Sequence, residues 1–227
     1  MQKTLSISGI NLENEKMNKK YHNALFLRIP KTASTSIVPF LKNTKILYEA
    51  RNFFKSRQNV PLYFRTSHYL NVMERSQGWF NLNENNIFTF GFVRNPWDRA
   101  VSSWKFGAYR ANWNMNFVDF CRNLKNLEIN PKNGKARDSL LLHVCEQHPF
   151  LICENENLKA DFIGRFETLQ EDFDIICDKI GIPRQQLPHK NKTKHKSYTE
   201  YYDEETKSIV AEVFAKDIEY FNYKFGE

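Results

Sequence analysis

The sequence predicts an α/β fold with a mainly parallel sheet, and three observations carry that expectation. Apolar runs of strand length alternate with segments of helical periodicity. The two least ordinary loops, after Ile29 and after Val93, each follow such a run and open a helix. No internal repeat or linker composition divides the chain. Residues 23–227 therefore read as one domain behind a polar leader of residues 1–22, which is expected to be poorly ordered.

The elements follow in order. Ala24 to Ile29 (ALFLRI) is a buried strand that Pro30 ends. Thr32 to Ser36 is a loop of small residues, and Ile37 to Lys42 a helix that Pro39 kinks. Strand-like runs follow at Lys45 to Tyr48 and Leu62 to Arg65, with a short helix at Met73 to Trp79. The strongest strand is Ile87 to Val93. Asn95-Pro96-Trp97-Asp98 then reads as a helix start, with Asn as N-cap, Pro at the first helical position and an acid soon after. That helix runs through Trp104, and a further helix is expected around Phe117 to Leu124. Phe162 to Phe166 is a late strand, and the helix from Leu169 to Ile180 is stopped by Gly181 and Pro183. A basic loop, HKNKTKHKSYTEYY, precedes a terminal helix from near Asp203. Ile209, Val210, Val213, Phe214, Ile218 and Phe221 share one face of it.

Composition narrows the function classes. With 41% hydrophobic and 15% aromatic residues there is material for a real core, which excludes wholesale disorder. No apolar run nears the roughly 18 residues of a membrane span, and the first twenty residues hold no apolar block of signal-peptide length. The expectation is a soluble, cytoplasmic protein, or a Golgi-lumenal one if an anchor was removed. Lys and Arg number 33 against 26 Asp and Glu, a net charge of +7 that favours an anionic ligand. Four cysteines without a CxxC pair read as free thiols in a reducing compartment. His143, Cys145, His148 and Cys153 cluster, but their spacing matches no standard zinc pattern. Leu140, Leu141, Val144 and Cys145 read instead as the apolar stripe of a helix. No metal is expected.

In an open α/β sheet the ligand lies beyond the carboxyl ends of the strands, which is where both unusual loops leave. In the first, Arg28-Ile29-Pro30-Lys31-Thr32-Ala33-Ser34-Thr35-Ser36, small and hydroxyl residues open a helix whose first amides and dipole favour negative charge. Lys31 adds a positive charge. This is a phosphate-type cradle without the glycines, or the terminal Lys, of a Walker A loop; the same pattern also suits an ordinary Ser/Thr-capped helix. In the second, Phe92-Val93-Arg94-Asn95-Pro96-Trp97-Asp98-Arg99-Ala100-Val101-Ser102-Ser103-Trp104, Arg94 leaves the strand end where its guanidinium can grip a phosphate. Ser102, two turns into the helix, can offer a hydroxyl. Asp98 and Arg99 are expected to serve the helix start and a surface pair.

IPKTASTS and VRNPWDRAVSSW together resemble the phosphosulfate loop and the 3′-phosphate motif of sulfotransferases that use 3′-phosphoadenosine-5′-phosphosulfate (PAPS). The likeness is to the carbohydrate branch, heparan sulfate 2-O-sulfotransferase and its relatives, and extends through IGRFETLQEDFDIICDKIGI, LPHKNKTKHK and YYDEETKSIVAEVFAKDIEYFNY, from about residue 24 to 225. It implies a P-loop-like three-layer fold with the sheet between helices. It also implies transfer of the sulfuryl group of PAPS to an acceptor hydroxyl, on a glycan or glycosylated small molecule, leaving adenosine 3′,5′-bisphosphate. Position by position, Lys31, Thr32, Ala33, Ser34, Thr35 and Ser36 would hold the 5′-phosphosulfate, with Lys31 also stabilising the leaving group. Arg94 and Ser102 would bind the 3′-phosphate, and Lys192, Thr193 and Lys196 of the basic loop would close over the nucleotide.

The acceptor hydroxyl must lose a proton as its bond to sulfur forms, which suits a base titrating near neutrality. Of six histidines, His68 follows the Leu62 to Arg65 run and is the choice; the alternatives are a histidine packed at a helix start, or Glu74 as base. Two rival functions remain. A P-loop kinase lacks support because the Walker A order is missing and the central strand ends in Arg rather than a magnesium-binding Asp. A nucleic-acid binder fits the charge, but no such motif is present, and no nucleic-acid partner is expected.

Overall fold

The computed structural model describes residues 23–41, 47–48, 87–111, 115–124, 143–153, 158–188 and 196–227. The polar leader and the Leu62 to Arg65 and Met73 to Trp79 segments lie outside them. Strand β1 (Asn23–Leu27) leads to helix α1 (Ser34–Leu41) and strand β2 (Leu47–Tyr48). Strand β3 (Ile87–Val93), helix α2 (Pro96–Ala111) and helix α3 (Phe117–Leu124) come next. A 3-10 turn (His148–Phe150) precedes a small antiparallel pair, β4 (Ile152–Cys153) and β5 (Leu158–Lys159). Then follow β6 (Phe162–Arg165), α4 (Leu169–Ile180), a 3-10 turn (Tyr198–Tyr201), α5 (Glu204–Val213) and α6 (Ala215–Phe221).

Four strands form one parallel sheet in the order β2-β1-β3-β6. The alternation of side chains along a strand divides the core in two. Ala24 and Phe26 of β1 and Phe88, Phe90 and Phe92 of β3 pack with Ile37 of α1 and Phe173, Ile176 and Cys177 of α4. Leu27, Ile29 and Val93 pack on the other side with Trp97, Ala100 and Val101 of α2, Phe120 of α3, and Val210 and Phe214. Helices thus cover both faces of a parallel sheet, the three-layer α/β arrangement the sequence predicts. Two glycines let the layers close. A Cβ on Gly91 would lie 2.9 Å from the Leu27 carbonyl and would also meet Leu151. One on Gly164 would lie 2.6 Å from the Phe92 ring.

Three elements differ from expectation. Helix α1 begins at Ser34 rather than Ile37, because Ser36 and Ile37 both donate to the Ala33 carbonyl and draw the hydroxyl residues into the first turn. Residues 143–147 form turn and bend rather than a helix: the Cys145 carbonyl is claimed by Arg99 and the Gln147 amide by Asp217, so neither is left for a helical ladder. The terminal helix is two helices that meet at Phe214, whose backbone (φ −112°, ψ 29°) leaves the helical region while its ring stays buried.

The strand order also locates the site. From β1 the chain turns outward to β2, then returns across β1 to β3 and continues to β6 on the far side. Among the described strands, the direction reverses between β1 and β3, and the crevice beyond their carboxyl ends is where such sheets bind ligands.

Candidate functional site

The loop after β1 is held in an unusual backbone shape. Lys31 (φ 70°) and Ala33 (φ 63°) both occupy the left-handed region, in a loop without glycine. L-residues reach that region at an energetic cost, so a surrounding structure must hold them there. Three consecutive carbonyls of the loop each accept a hydrogen bond from a side chain. Thr32 Oγ1 donates to Ile29 O (3.0 Å), Arg99 Nε to Pro30 O (3.3 Å) and Arg94 Nη1 to Lys31 O (3.2 Å). Alternating left-handed residues beside a helix start make a concavity of amides suited to an anion. The Thr32 and Ser36 side chains are buried and serve the protein. The Ser36 hydroxyl donates to Pro188 O (3.2 Å), where the chain enters the basic loop. Ser34 is buried at the helix start and Thr35 is exposed.

Arg94 leaves β3 directly opposite. Its backbone is clamped in both directions by Gln147, whose Oε1 accepts from the Arg94 amide (2.9 Å) while Nε2 donates to the Arg94 carbonyl (2.9 Å). The guanidinium lies 3.9 Å over the Phe166 ring and pairs with Asp98 at 2.8 Å, one helical turn on. Among the described residues, the bonds to Asp98 and Lys31 use two of its five N–H groups. Ser102, half-buried, follows Asp98 by one further turn on the same side of α2. The helix start is as the sequence predicts: Asn95 Oδ1 accepts from the Trp97 amide at 3.1 Å. Glu167, after β6, adds a contact that sequence reasoning missed, accepting from the Asn95 amide at 2.7 Å.

Arg99 corrects the sequence expectation outright. It is 1% exposed and makes no surface pair: Nη2 donates to Cys145 O (2.6 Å), Nε reaches Pro30, and the guanidinium lies 5.7 Å from the Phe214 ring. Burial lowers its pKa, opposed by nearby Cys145 and Asp217. Asp217 of α6, fully buried, accepts from the amides of Gln147 (2.7 Å) and His148 (2.8 Å) and faces His148 Nδ1 at 3.0 Å. His148 is thereby committed to Asp217 and to stacking on Tyr220. His143 stacks on Phe106. Cys145 takes part in no disulfide among the described residues, and burial pushes the pKa of its thiol up to about 11. Among the described residues no group of three or more His, Cys, Asp and Glu could hold a metal ion.

Lys31 sits where its charge is expensive. Its ammonium lies 4.4 Å over the Phe106 ring, and burial, with the nearby Arg94 charge, lowers its pKa to about 8. An anion between Lys31 and Arg94 would relieve both effects. Lys196 is exposed at the end of the basic loop, whereas His68, Lys192 and Thr193 lie outside the described residues.

The chain is similar to other proteins in sequence and in structure. A stretch of 99 residues, 42% of this chain and 69% of the relative, is 30% identical to an uncharacterized protein of Archaeoglobus fulgidus. The crystal structure of a sulfotransferase from Alicyclobacillus acidocaldarius is similar over 93% of this chain and 92% of that one, with a TM-score of 0.40 and 11% identity. The family model of the sulfotransferases matches residues 15–224, a span that contains both loops and every element described above, and the chain belongs to the sulfotransferase family.

Proposed function

We propose that the protein transfers the sulfuryl group of PAPS to a carbohydrate hydroxyl. The observation that carries this reading is the hydrogen bond from Arg94 to the Lys31 carbonyl, which joins two cationic loops beyond adjacent strand ends. A donor with phosphates at both the 5′ and 3′ positions suits two such centres; a donor with one phosphate cluster leaves one of them unused. In this reading the amides of residues 31 to 35 and the Lys31 ammonium hold the 5′-phosphosulfate, while further donors of Arg94 and the Ser102 hydroxyl take the 3′-phosphate. The basic loop, entering beside Ser36 and leaving at Lys196, covers the nucleotide with Lys192 and Thr193.

The chemistry is a displacement at sulfur. The acceptor oxygen forms a bond to sulfur as the bond from sulfur to the bridging phosphate oxygen breaks, and bisphosphate departs. The acceptor proton passes to His68, and Lys31 neutralises charge growing on the departing oxygen. Incubation with ³⁵S-labelled PAPS and a panel of oligosaccharides tests the reading. The expected result is label on a carbohydrate with equimolar adenosine 3′,5′-bisphosphate. Label on phenols or steroids alone would overturn the carbohydrate assignment, and absence of PAPS binding would overturn the donor.

A further inference from the structure

We propose that Arg99 and Thr32 are positioning residues that set the shape of the anion-binding loop by holding its carbonyls away from the ligand. This rests on the reading of residues 31 to 36 as the 5′-phosphosulfate site. A carbonyl and the amide that follows it belong to one rigid peptide plane and point in opposite directions. Fixing the carbonyls of Pro30 and Lys31 therefore fixes where the Lys31 and Thr32 amides point, while Thr32, by holding Ile29 O across Pro30, which has no N–H, closes the turn that carries them. Arg94 holds one of the three carbonyls and also faces the ligand. Thr32 and Arg99 hold the other two and are buried, so neither reaches the ligand itself.

The energetics weigh against a role in packing alone. A buried guanidinium costs several kcal/mol in desolvation unless it is paired, and among the described residues no carboxylate stands within ion-pair distance of Arg99. It donates to Pro30 O in the loop and to Cys145 O in the segment that Asp217 anchors. A hydrophobic residue of similar length would fill the space between α2 and Phe214 without that penalty. What it would lack is a fork of donors that ties the strained loop to a fixed point. The two left-handed residues, Lys31 and Ala33, flank Thr32, and Lys31 immediately follows the carbonyl that Arg99 holds.

The test separates the two phosphate positions. Affinities are measured calorimetrically for adenosine 3′,5′-bisphosphate, adenosine 3′-monophosphate and 5′-AMP. The ratio of the first to the second isolates the 5′-phosphate contribution, and the ratio of the first to the third isolates the 3′-phosphate contribution. Arg99→Lys keeps the charge and removes the fork. The expected result is a loss of about tenfold in the 5′-phosphate ratio with the 3′-phosphate ratio held within about threefold. Thr32→Val should produce the same selective loss. An unchanged 5′-phosphate ratio in Arg99→Lys, or an equal fall in both ratios, would overturn the proposal in favour of a purely structural arginine. Should Arg99→Lys fail to fold by near-UV circular dichroism, Thr32→Val decides alone: a selective loss supports the clamp and an unchanged ratio overturns it. A wild-type protein with no 5′-phosphate contribution at all would overturn the site reading, and this proposal with it.

Discussion

Arg94 Nη1 donates to the carbonyl of Lys31 at 3.2 Å, so the cation at the end of β3 holds the backbone of the cation at the end of β1. The two side chains repel, and that repulsion is one reason the Lys31 pKa falls to about 8. Asp98 offsets part of that repulsion at Arg94, and an anion bound between the two side chains, as in the proposed donor site, would offset more of it.

Stability should report that cost. The folded pKa of Lys31 lies below its ordinary value of 10.5, so between about pH 8 and 10.5 the native state binds fewer protons than the unfolded state. Stability from this group therefore rises with pH through that window. Lys31→Met should raise the melting temperature at pH 7 by a few degrees, consistent with a gain on the order of 1 kcal/mol, while abolishing transfer. Calorimetric melting at pH 7 and pH 10 checks it. The gap between variant and wild type should narrow at the higher pH, and a variant that melts lower at pH 7 would contradict the account.

The same titration should shape the pH dependence of catalysis. In the free enzyme the Lys31 ammonium is lost as pH rises through about 8, so kcat/KM for the donor should fall on the alkaline side. Lys31→Arg should move that limb upward in pH. A wild-type profile that stays flat to pH 9.5 would remove Lys31 charge from donor capture.

In the proposed mechanism His68 serves the acceptor alone. His68→Ala should keep near-normal affinity for adenosine 3′,5′-bisphosphate and lose about two to four decades of turnover. Single-turnover kinetics beside a nucleotide titration measure both. Turnover within tenfold of wild type would transfer the role to another group, Glu74 first.

What the sequence showed was mostly local. The Asn95 cap, the Pro96 start, the Gly181 stop with its left-handed φ of 73°, and the Ile87–Val93 strand are set by neighbours a few residues away. The contacts that shape the site are long-range. Gln147 grips Arg94 across 53 residues, and Asp217 grips Gln147 across 70, with no periodicity to announce either. The burial of Arg99 did leave a trace: Ser103 and Gly107 follow it at four-residue steps, and a stripe of small residues beside an Arg marks a helix face approached closely by another segment. The left-handed backbone at Lys31 and Ala33 left none, because glycine is its usual signal and the loop has no glycine.

Asp217 should prove the keystone of that long-range set. It accepts two backbone amides and faces His148 while fully buried. Asp217→Ala strands these donors and should cost about 3 kcal/mol in urea denaturation. A loss under about 0.5 kcal/mol would show that the 147–148 segment is held by other means.

The central claim is that Arg94 recognises a 3′-phosphate on the donor nucleotide. Calorimetric titration of wild type and Arg94→Ala with adenosine 3′,5′-bisphosphate and with 5′-AMP tests it most directly. A charge-assisted contact of about 1.5–3 kcal/mol corresponds to one to two decades of affinity. Wild type should bind the bisphosphate that much more tightly than 5′-AMP, and Arg94→Ala should erase most of the difference while binding 5′-AMP nearly as before. Equal affinity of the wild-type protein for the two nucleotides would contradict the account.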